Sequence, residues 1–233
     1  AQSMRSGPLP LDPNTSLVLV LGDSVVNGSE WTDHAALATS VASEHDPDRY
    51  YANISANSWG PANQRAYLET YGVFGADTTV IVLSAHDIDD VPTFAPLHPL
   101  AHPVNPPKLA LTEAFWRYGP RYAPDWLRRI VRPKTVQQSA RKAPDRASGE
   151  AELRLLFRYF SQNATPVCVL LHPTQAELGH RPSAASERIR QLAEAANIPY
   201  LALEPYYTEA PQGAAQLYRD NIHLNDAGQA VLA

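Results

Sequence analysis

Five short apolar runs, separated by longer stretches with helical periodicity, constrain what this 233-residue chain can fold into. The runs lie at 17–21, 50–54, 78–83, 166–171 and 199–203. Each is almost continuously apolar, which is typical of strands buried on both faces of a parallel sheet. Apolar residues three or four positions apart predict helices at 35–44, 62–71, 150–160 and 183–196. The alternation predicts an α/β fold with three layers, α/β/α, around a central parallel five-stranded sheet.

One Pro-rich segment, at about residues 91–150, interrupts this alternation. It holds ten of the 21 prolines and ten of the 19 basic residues, but only four of the 24 acidic ones. Proline lacks a backbone N–H and restricts the residue before it, so only short helices are predicted there, at 109–118 and 125–131. We interpret the chain as a single domain, 1–233, with this segment as an insertion. Its aromatic and arginine side chains suit either a lid over a ligand site or packing against the domain.

Charge and composition exclude several classes of protein. The net charge of −5 does not favour a nucleic-acid partner. The single cysteine, Cys168, cannot form an internal disulfide or a thiolate metal site by itself. The apolar runs are far shorter than the 18 or more residues of a membrane span, so none is predicted. Residues 1–8 lack a basic region followed by an apolar one, so they do not predict an intact signal peptide.

Two features at opposite ends of the chain carry the residue types of a serine hydrolase. Ser24 closes the sequence Gly22-Asp23-Ser24 after the first run, where side chains reach the ligand edge of a parallel sheet. Asp220 and His223 lie three residues apart, so the carboxylate can orient the imidazole, which in turn can accept a proton from a hydroxyl. Alone, the first motif also suits a helix cap and the second a surface histidine. Together they favour a nucleophile with its base and acid.

With these residues the sequence resembles the SGNH (GDSL-like) hydrolase superfamily over nearly the whole domain. Gly22-Asp23-Ser24 resembles the first family block, Asn57-Ser58-Trp59-Gly60 the second and Asp220-x-x-His223 the last. The resemblance implies a flavodoxin-like three-layer fold and the hydrolysis or transfer of acyl esters. It further implies Ser24 as nucleophile, His223 as base and Asp220 as orienting acid. The backbone N–H groups of Ser24 and Gly60 would then be oxyanion donors.

The third block departs from the family pattern. Where the family has Gly-x-Asn-Asp, this chain has Ser84-Ala85-His86-Asp87, so that His86 occupies the position of the asparagine donor. An imidazole N–H can stabilise an oxyanion as an amide does, although its protonation depends on pH. The alternative is that His86 is a turn residue and that the third donor is lost.

Residues around these blocks are further candidates. Trp59, Asn63 and Asp87 are predicted to contribute to substrate binding, although Asn63 equally suits a helix cap. We expect the acids after the third run to be solvated loop residues, with Asp87 bonded to nearby backbone, and we expect no metal or cofactor. His172 is expected to lie at the surface or in a loop.

Resemblance to members associated with bacterial exopolysaccharide implies a substrate. The leading hypothesis is a carbohydrate or exopolysaccharide O-acetyl esterase that forms an acyl-enzyme. One alternative is a polysaccharide O-acetyltransferase with the same triad, and another is a non-catalytic polysaccharide-binding module. The implied partners are an acylated carbohydrate or polysaccharide and other polysaccharide-modification proteins, and the implied location is extracytoplasmic, in the periplasm.

Overall fold

The computed structural model describes residues 5–10, 12, 15–91, 109, 111 and 146–233. Contacts divide the chain into one unit formed by Ala1–Val91 and Pro144–Ala233 and another formed by Pro92–Ala143. The five-stranded sheet and the candidate site residues belong to the first unit. Apart from two isolated positions, the short helices predicted at 109–118 and 125–131 lie outside the described residues, as do the aromatic and arginine side chains of that segment. The insertion and its role stay predictions.

Strands and helices alternate along the described part of the chain. The strands are β1 (Ser16–Gly22), β2 (Arg49–Ser55), β3 (Thr78–Leu83), β4 (Val167–Leu171) and β5 (Tyr200–Ala202). The α-helices are α1 (Ser24–Asn27), α2 (Ala38–His45), α3 (Pro61–Tyr71), α4 (Arg146–Asn163), α5 (Ala184–Ala195), α6 (Glu204–Thr208) and α7 (Asp226–Leu232). Short 3-10 turns lie at His34–Ala36, Ala85–Ile88, Gln175–Glu177 and Ala214–Leu217. Every predicted strand and helix of this part is present. None of the described helices combines the length and the apolar character needed to cross a bilayer.

The five strands form one parallel sheet in the order β2-β1-β3-β4-β5. This is the flavodoxin-like order and confirms the predicted fold class. The chain leaves β1 to form β2 on one side and then returns to form β3 on the other. Ligands of such sheets bind in the crevice where the strand order reverses, at the carboxyl end of β1. Ser24 follows β1 directly, and the turn Ala85–Ile88 follows β3.

Each face of the sheet is covered by helices. Because side chains alternate along a strand, Leu17, Leu19 and Leu21 of β1 face one side, and Val18 and Val20 face the other. The leucine side packs against α3, α4 and α5, and the valine side packs against α1, α2, α6 and α7. These two apolar clusters are the cores of a three-layer α/β/α domain.

The strand β5 differs from its prediction. The run at 199–203 predicts a strand buried on both faces, but all three residues of β5 are exposed, with Leu201 at 44%. The strand lies at the edge of the sheet and pairs only with β4. An edge strand has one neighbour instead of two, so its apolar side chains are covered less. Burial resumes at Leu203, after the strand ends.

A glycine sets the distance between α4 and the turn that carries His86. A Cβ atom at Gly149 would lie 2.1 Å from the carbonyl oxygen of Ile88, far inside van der Waals contact. Only glycine allows the helix backbone to approach the turn Ala85–Ile88 so closely. The packing of α4 therefore fixes one part of the ligand edge.

We expect Gly149→Ala to lower the free energy of unfolding. Overpacking against a backbone oxygen costs about 1–3 kcal/mol, and the better helix propensity of alanine offsets at most about 1 kcal/mol of that. Urea denaturation measures the change. The matched control is Ala151→Ser on the exposed face of the same helix, which should stay within about 0.5 kcal/mol of the wild type. Equal stability of Gly149→Ala and wild type would contradict the close approach.

Candidate active site

Ser24, His223 and Asp220 form a continuous chain of hydrogen bonds. Ser24 is the first residue of α1, and the Asp23 side chain caps this helix by accepting the Val25 N–H at 2.8 Å. The Ser24 Oγ lies 2.8 Å from Nε2 of His223. Nδ1 of the same ring lies 2.7 Å from Oδ2 of Asp220. This geometry lets the imidazole accept the serine proton at one nitrogen while the carboxylate holds the other nitrogen.

The Asp220 carboxylate is itself held by the loop. Its Oδ1 accepts the backbone N–H groups of Ile222 at 2.9 Å and of His223 at 2.8 Å. Burial raises the pKa of Asp220, but the hydrogen bonds from the backbone N–H groups of His223 and Ile222 and from the His223 ring lower it more. The pKa of Asp220 therefore lies below its ordinary value, and the group remains a carboxylate at neutral pH.

Gly60 and Asn63 meet at the start of α3. The Gly60 N–H donates to Oδ1 of Asn63 at 3.2 Å. Asn63 therefore caps the start of α3, which is one of the two roles that the sequence predicts for it. Gly60 is buried, and a Cβ atom there would lie 2.7 Å from Oδ2 of Asp90. The glycine thus permits the Asp90 carboxylate to pack against the backbone whose N–H is the predicted oxyanion donor.

Trp59 lies on the core side of the same segment. Its ring centroid lies 5.6 Å from that of Tyr67 on α3, and the side chain packs against the leucine-side core. Its predicted contribution to substrate binding stays a prediction.

His86 lies between two carboxylates. Its Nε2 lies 3.1 Å from Oδ2 of Asp23 and 4.0 Å from Oδ1 of Asp87. The expectation that Asp87 is a solvated acid is wrong, because this residue is 1% exposed. Its Oδ2 accepts the Ser84 N–H at 2.7 Å, which confirms the predicted bond to backbone. Among the described residues, its Oδ1 has no hydrogen-bond partner.

The surroundings favour a cationic His86. Burial lowers its pKa, but the charges of Asp87, Asp23 and Asp90 raise it more, to about 9. Burial also raises the pKa of the Asp87 carboxyl, and the neighbouring His86 offsets part of that increase. At neutral pH the imidazole therefore carries a proton on both nitrogens, and one of these protons is directed at Asp23.

The same three side chains are the one group in the described part of the chain whose spacing could hold a metal ion. The ligand atoms of Asp23, His86 and Asp87 lie within 4.8 Å of one another. Two carboxylates and an imidazole are suitable ligands for zinc or manganese. The 3.1 Å hydrogen bond between His86 and Asp23 already accounts for two of the three atoms. The absence of a metal stays a prediction.

Trp31 contacts His223, although no sequence motif marks it as a site residue. Its ring centroid lies 5.1 Å from that of His223, with the ring planes at 68°, and its side chain is 46% exposed. Arg219 donates to its carbonyl oxygen at 2.9 Å and holds the loop in place. Trp31 belongs to no family block. Its place in the loop between α1 and α2, beyond the carboxyl end of β1, is the signal that could have identified it.

His172 is a loop residue, as one part of its expectation states, but it is buried behind the loop that carries Asp220 and His223 instead of lying at the surface. It is 1% exposed and follows β4 directly. Its Nε2 lies 2.9 Å from the carbonyl oxygen of Ile222, and its Nδ1 lies 3.1 Å from the Tyr207 hydroxyl. A carbonyl only accepts, so Nε2 carries the proton and Nδ1 accepts from Tyr207. Burial lowers the pKa of His172 to about 4.

Comparisons with known proteins concern the family and the fold of the chain. A family model described as GDSL-like lipase/acylhydrolase matches residues 20–231. Among solved structures, TesA has a TM-score of 0.56 at 15% identity over 93% of each chain. An acetyl xylan esterase, AlAXEase, has a TM-score of 0.54 at 13% identity, over 92% of this chain and 94% of that one. A two-domain esterase, CEX, active on acetylated mannans, has a TM-score of 0.51 at 15% identity, over 94% of this chain and 46% of that one. These likenesses show a shared fold, whereas no curated protein matched the chain.

We expect the buried neutral His172 to make the protein less stable in acid. Its pKa is about 4 in the folded protein, against about 6.5 in an unfolded chain. Between these values the unfolded chain binds a proton that the folded protein does not, so stability falls as pH decreases from about 6.5 to 4. The decrease in the free energy of unfolding that this histidine causes approaches about 3 kcal/mol.

Urea denaturation at a series of pH values measures this loss. The comparison is with His172→Gln, which has no titratable side chain at this position. The free energy of unfolding of the variant should fall less than that of the wild type over this range. Parallel curves for the two proteins would contradict the buried neutral histidine.

Proposed function

This chain belongs to the GDSL-like lipase/acylhydrolase family, and we propose that it is a serine esterase that hydrolyses acetyl esters carried by a carbohydrate. Ser24, His223 and Asp220 are its proposed catalytic triad. The hydrogen-bond chain from Ser24 through His223 to Asp220, at 2.8 and 2.7 Å, carries this proposal. The short contacts connect a nucleophile, a base and an orienting carboxylate in the order that acyl transfer requires.

The reaction proceeds through an acyl-enzyme. Ser24 Oγ attacks the ester carbonyl while Nε2 of His223 takes its proton. The tetrahedral intermediate then collapses, and the imidazolium returns that proton to the departing sugar oxygen, which leaves as an alcohol. A water molecule attacks the acyl-serine next, again losing a proton to Nε2. The second tetrahedral intermediate then collapses and releases acetate, and the imidazolium returns its proton to Ser24 Oγ. Asp220 stays ionised throughout and stabilises the imidazolium.

Three donors are proposed for the oxyanion, namely the backbone N–H groups of Ser24 and Gly60 and the imidazolium of His86. The Gly60 N–H makes a bond of 3.2 Å to Asn63, a weak partner that a developing oxyanion can outcompete. Since Asp23 holds Nε2 of His86, the proton on Nδ1 is the one proposed to face the substrate. A cationic donor offsets the carboxylates that surround this part of the site.

Two observations support a carbohydrate as the alcohol part of the substrate. The exposed ring of Trp31 beside His223 offers an apolar face on which the C–H groups of a sugar ring can stack. Similar solved structures include an acetyl xylan esterase and an esterase active on acetylated mannans. The exopolysaccharide, the other polysaccharide-modification proteins and the periplasmic location stay predictions.

The alternatives differ in the fate of the acyl-enzyme. An O-acetyltransferase would pass the acetyl group from Ser24 to a sugar hydroxyl instead of water, and no observation in the described residues favours that acceptor. The intact hydrogen-bond chain weighs against a non-catalytic polysaccharide-binding module. Acetate release and acetyl transfer to an added oligosaccharide, measured together from one activated acetyl donor, distinguish the two enzymes. A dominant transfer product would overturn the esterase proposal.

We expect Ser24→Ala to abolish reaction with a fluorophosphonate and to lower acetate release from acetylated xylan by at least about a thousandfold, because no nucleophile remains. Fluorescent labelling and an acetate assay measure these effects. Ser161→Ala, on the exposed face of α4, is the matched control and should keep wild-type labelling and activity. Labelling that survives in Ser24→Ala would place the nucleophile elsewhere. Absence of label in the wild type would favour the binding module.

We expect kcat/KM to fall as pH rises through about 9, because His86 has a pKa of about 9 and loses its positive charge there. The protonated form is the active donor, so its contribution is complete well below pH 9 and is lost above it. His86→Asn, which supplies a neutral amide, should be roughly tenfold less active at pH 7 and lack this alkaline decrease. His86→Ala should lose about 10²–10³-fold at pH 7. An alkaline decrease of the same size in His86→Asn, or no decrease in the wild type, would contradict the role of His86.

A further inference from the structure

The catalytic acid and base lie on a loop that has little packing of its own. Residues 220–223, called the acid–base loop here, lie between the turn Ala214–Leu217 and α7. The Asp220 side chain is 52% exposed. The buried residues Tyr218 and Leu224 fix the two ends of the loop and form an isolated antiparallel bridge. Apolar burial therefore holds the ends of the loop but not the carboxylate itself.

Two hydrogen bonds connect the middle of this loop to the sheet. Nε2 of His172 donates to the Ile222 carbonyl at 2.9 Å, and the backbone N–H of Gln175 donates to the Asn221 carbonyl at 2.7 Å. Both donors belong to the segment that follows β4. The loop is thus aligned by the carboxyl end of a strand that contributes no residue to the triad.

We propose that His172 is a positioning residue, which holds the acid–base loop so that Asp220 and His223 stay aligned with Ser24. The proposal rests on the proposed function of the triad. His172 touches no reacting atom in this arrangement, and it acts through the backbone of Ile222.

One peptide unit transmits this effect. The carbonyl of Ile222 and the N–H of His223 belong to the same planar group, so fixing one end fixes the direction of the other. His172 holds the carbonyl, and the N–H donates to Oδ1 of Asp220 at 2.8 Å. The other carboxylate oxygen, Oδ2, accepts a hydrogen bond of 2.7 Å from Nδ1 of His223. Rotation of this peptide would therefore misalign the carboxylate with the imidazole that it orients.

The surroundings of His172 fix its tautomer and its orientation. Tyr207 is completely buried, and its hydroxyl donates a hydrogen bond to Nδ1 of His172. The single ring proton of His172 is therefore on Nε2. The Tyr218 ring stacks on the imidazole at 5.7 Å between centroids and 30° between planes, and its hydroxyl donates to the Pro173 carbonyl at 2.7 Å. The His172 backbone N–H donates to the Leu83 carbonyl at 2.8 Å, at the end of β3. The donor to the loop is consequently rigid.

Charged groups reach His172 from two directions. Asp23 and His86 act from the nucleophile side of the site, and Glu177 acts from the turn after β4. The effect of burial exceeds these charges and lowers the pKa of His172 to about 4. The imidazole is accordingly neutral at pH 7, with a single ring proton to donate.

The test compares His172→Leu, which cannot donate, with His172→Gln, whose Nε2 can replace the imidazole donor. We expect His172→Leu to lower kcat for acetate release by about ten- to a hundredfold with less than about a twofold change in KM. His172→Gln should recover most of that loss. His180→Leu, at an exposed position of the same segment, is the matched control and should retain wild-type kinetics.

A spectroscopic measurement separates positioning from a general effect on the fold. The proton on Nδ1 of His223, held by Asp220, should give a far-downfield ¹H resonance in the wild type and in His172→Gln. It should be lost or shifted in His172→Leu at a temperature where circular dichroism shows that variant folded. If His172→Leu does not fold, His172→Met, which also lacks the donor to the Ile222 carbonyl, is used instead and should lower kcat with the same change in resonance.

Three outcomes would overturn the proposal. The first is wild-type kcat in folded His172→Leu, and the second is equal impairment of His172→Gln and His172→Leu. The third is an unchanged His223 resonance in a folded variant without the His172 donor. Failure of the proposed function is a separate result, since it would show as absence of Ser24-dependent labelling in the wild type. The resonance reports the alignment of Asp220 with His223 whether or not the substrate is correctly identified.

Discussion

The pairing of β1 with β2 on one side and with β3 on the other is the constraint on which the rest of the site depends. Because the chain leaves β1 in one direction and returns in the other, a crevice opens at the carboxyl end of this central strand. Ser24 and Asp23 follow β1 there, and the turn that carries His86 follows β3. The segment after β4 then reaches the loop that bears His223. Residues distant in sequence meet because parallel strands end at one edge.

Electrostatics distinguish this site from one built with an asparagine donor. Asp23, Asp87 and Asp90 place negative charge around the turn after β3, and such charge opposes a developing oxyanion. A neutral amide would not offset it. The imidazolium proposed as oxyanion donor would offset it, and the same carboxylates that oppose an oxyanion raise the pKa of His86. We therefore connect two features of the turn after β3, namely the histidine in place of the family's asparagine and the carboxylates that surround it. The carboxylates favour the charged form of the histidine, and an asparagine amide has no such form.

The alternation of apolar runs with helical periodicity was enough to predict the fold. Buried strands show as short continuous apolar runs, and helices show as apolar residues three or four positions apart. Ser24, Asp220 and His223 could be identified because they form local motifs. The burial of His172 and Asp87 could not, since it depends on which distant segments cover them. Trp31 has no motif, and its contact with His223 joins residues far apart in the chain. The exposure of Leu201 likewise follows from its edge position, which requires the strand order.

Two histidines near the same carboxylate have opposite charge states. Asp23 favours the protonated form of both, yet His172 is neutral because burial dominates, and His86 is cationic because several carboxylates surround it. Since the pKa values are about 4 for His172 and about 9 for His86, neither ring changes its proton count over most of the range between them. The donor to the Ile222 carbonyl then persists across that range, whereas the buried Asp87 carboxyl, whose pKa is raised to about 7, changes its charge within it. In the proposed mechanism, the peptide that holds Asp220 against His223 therefore keeps its donor while a proton moves between Ser24 and His223.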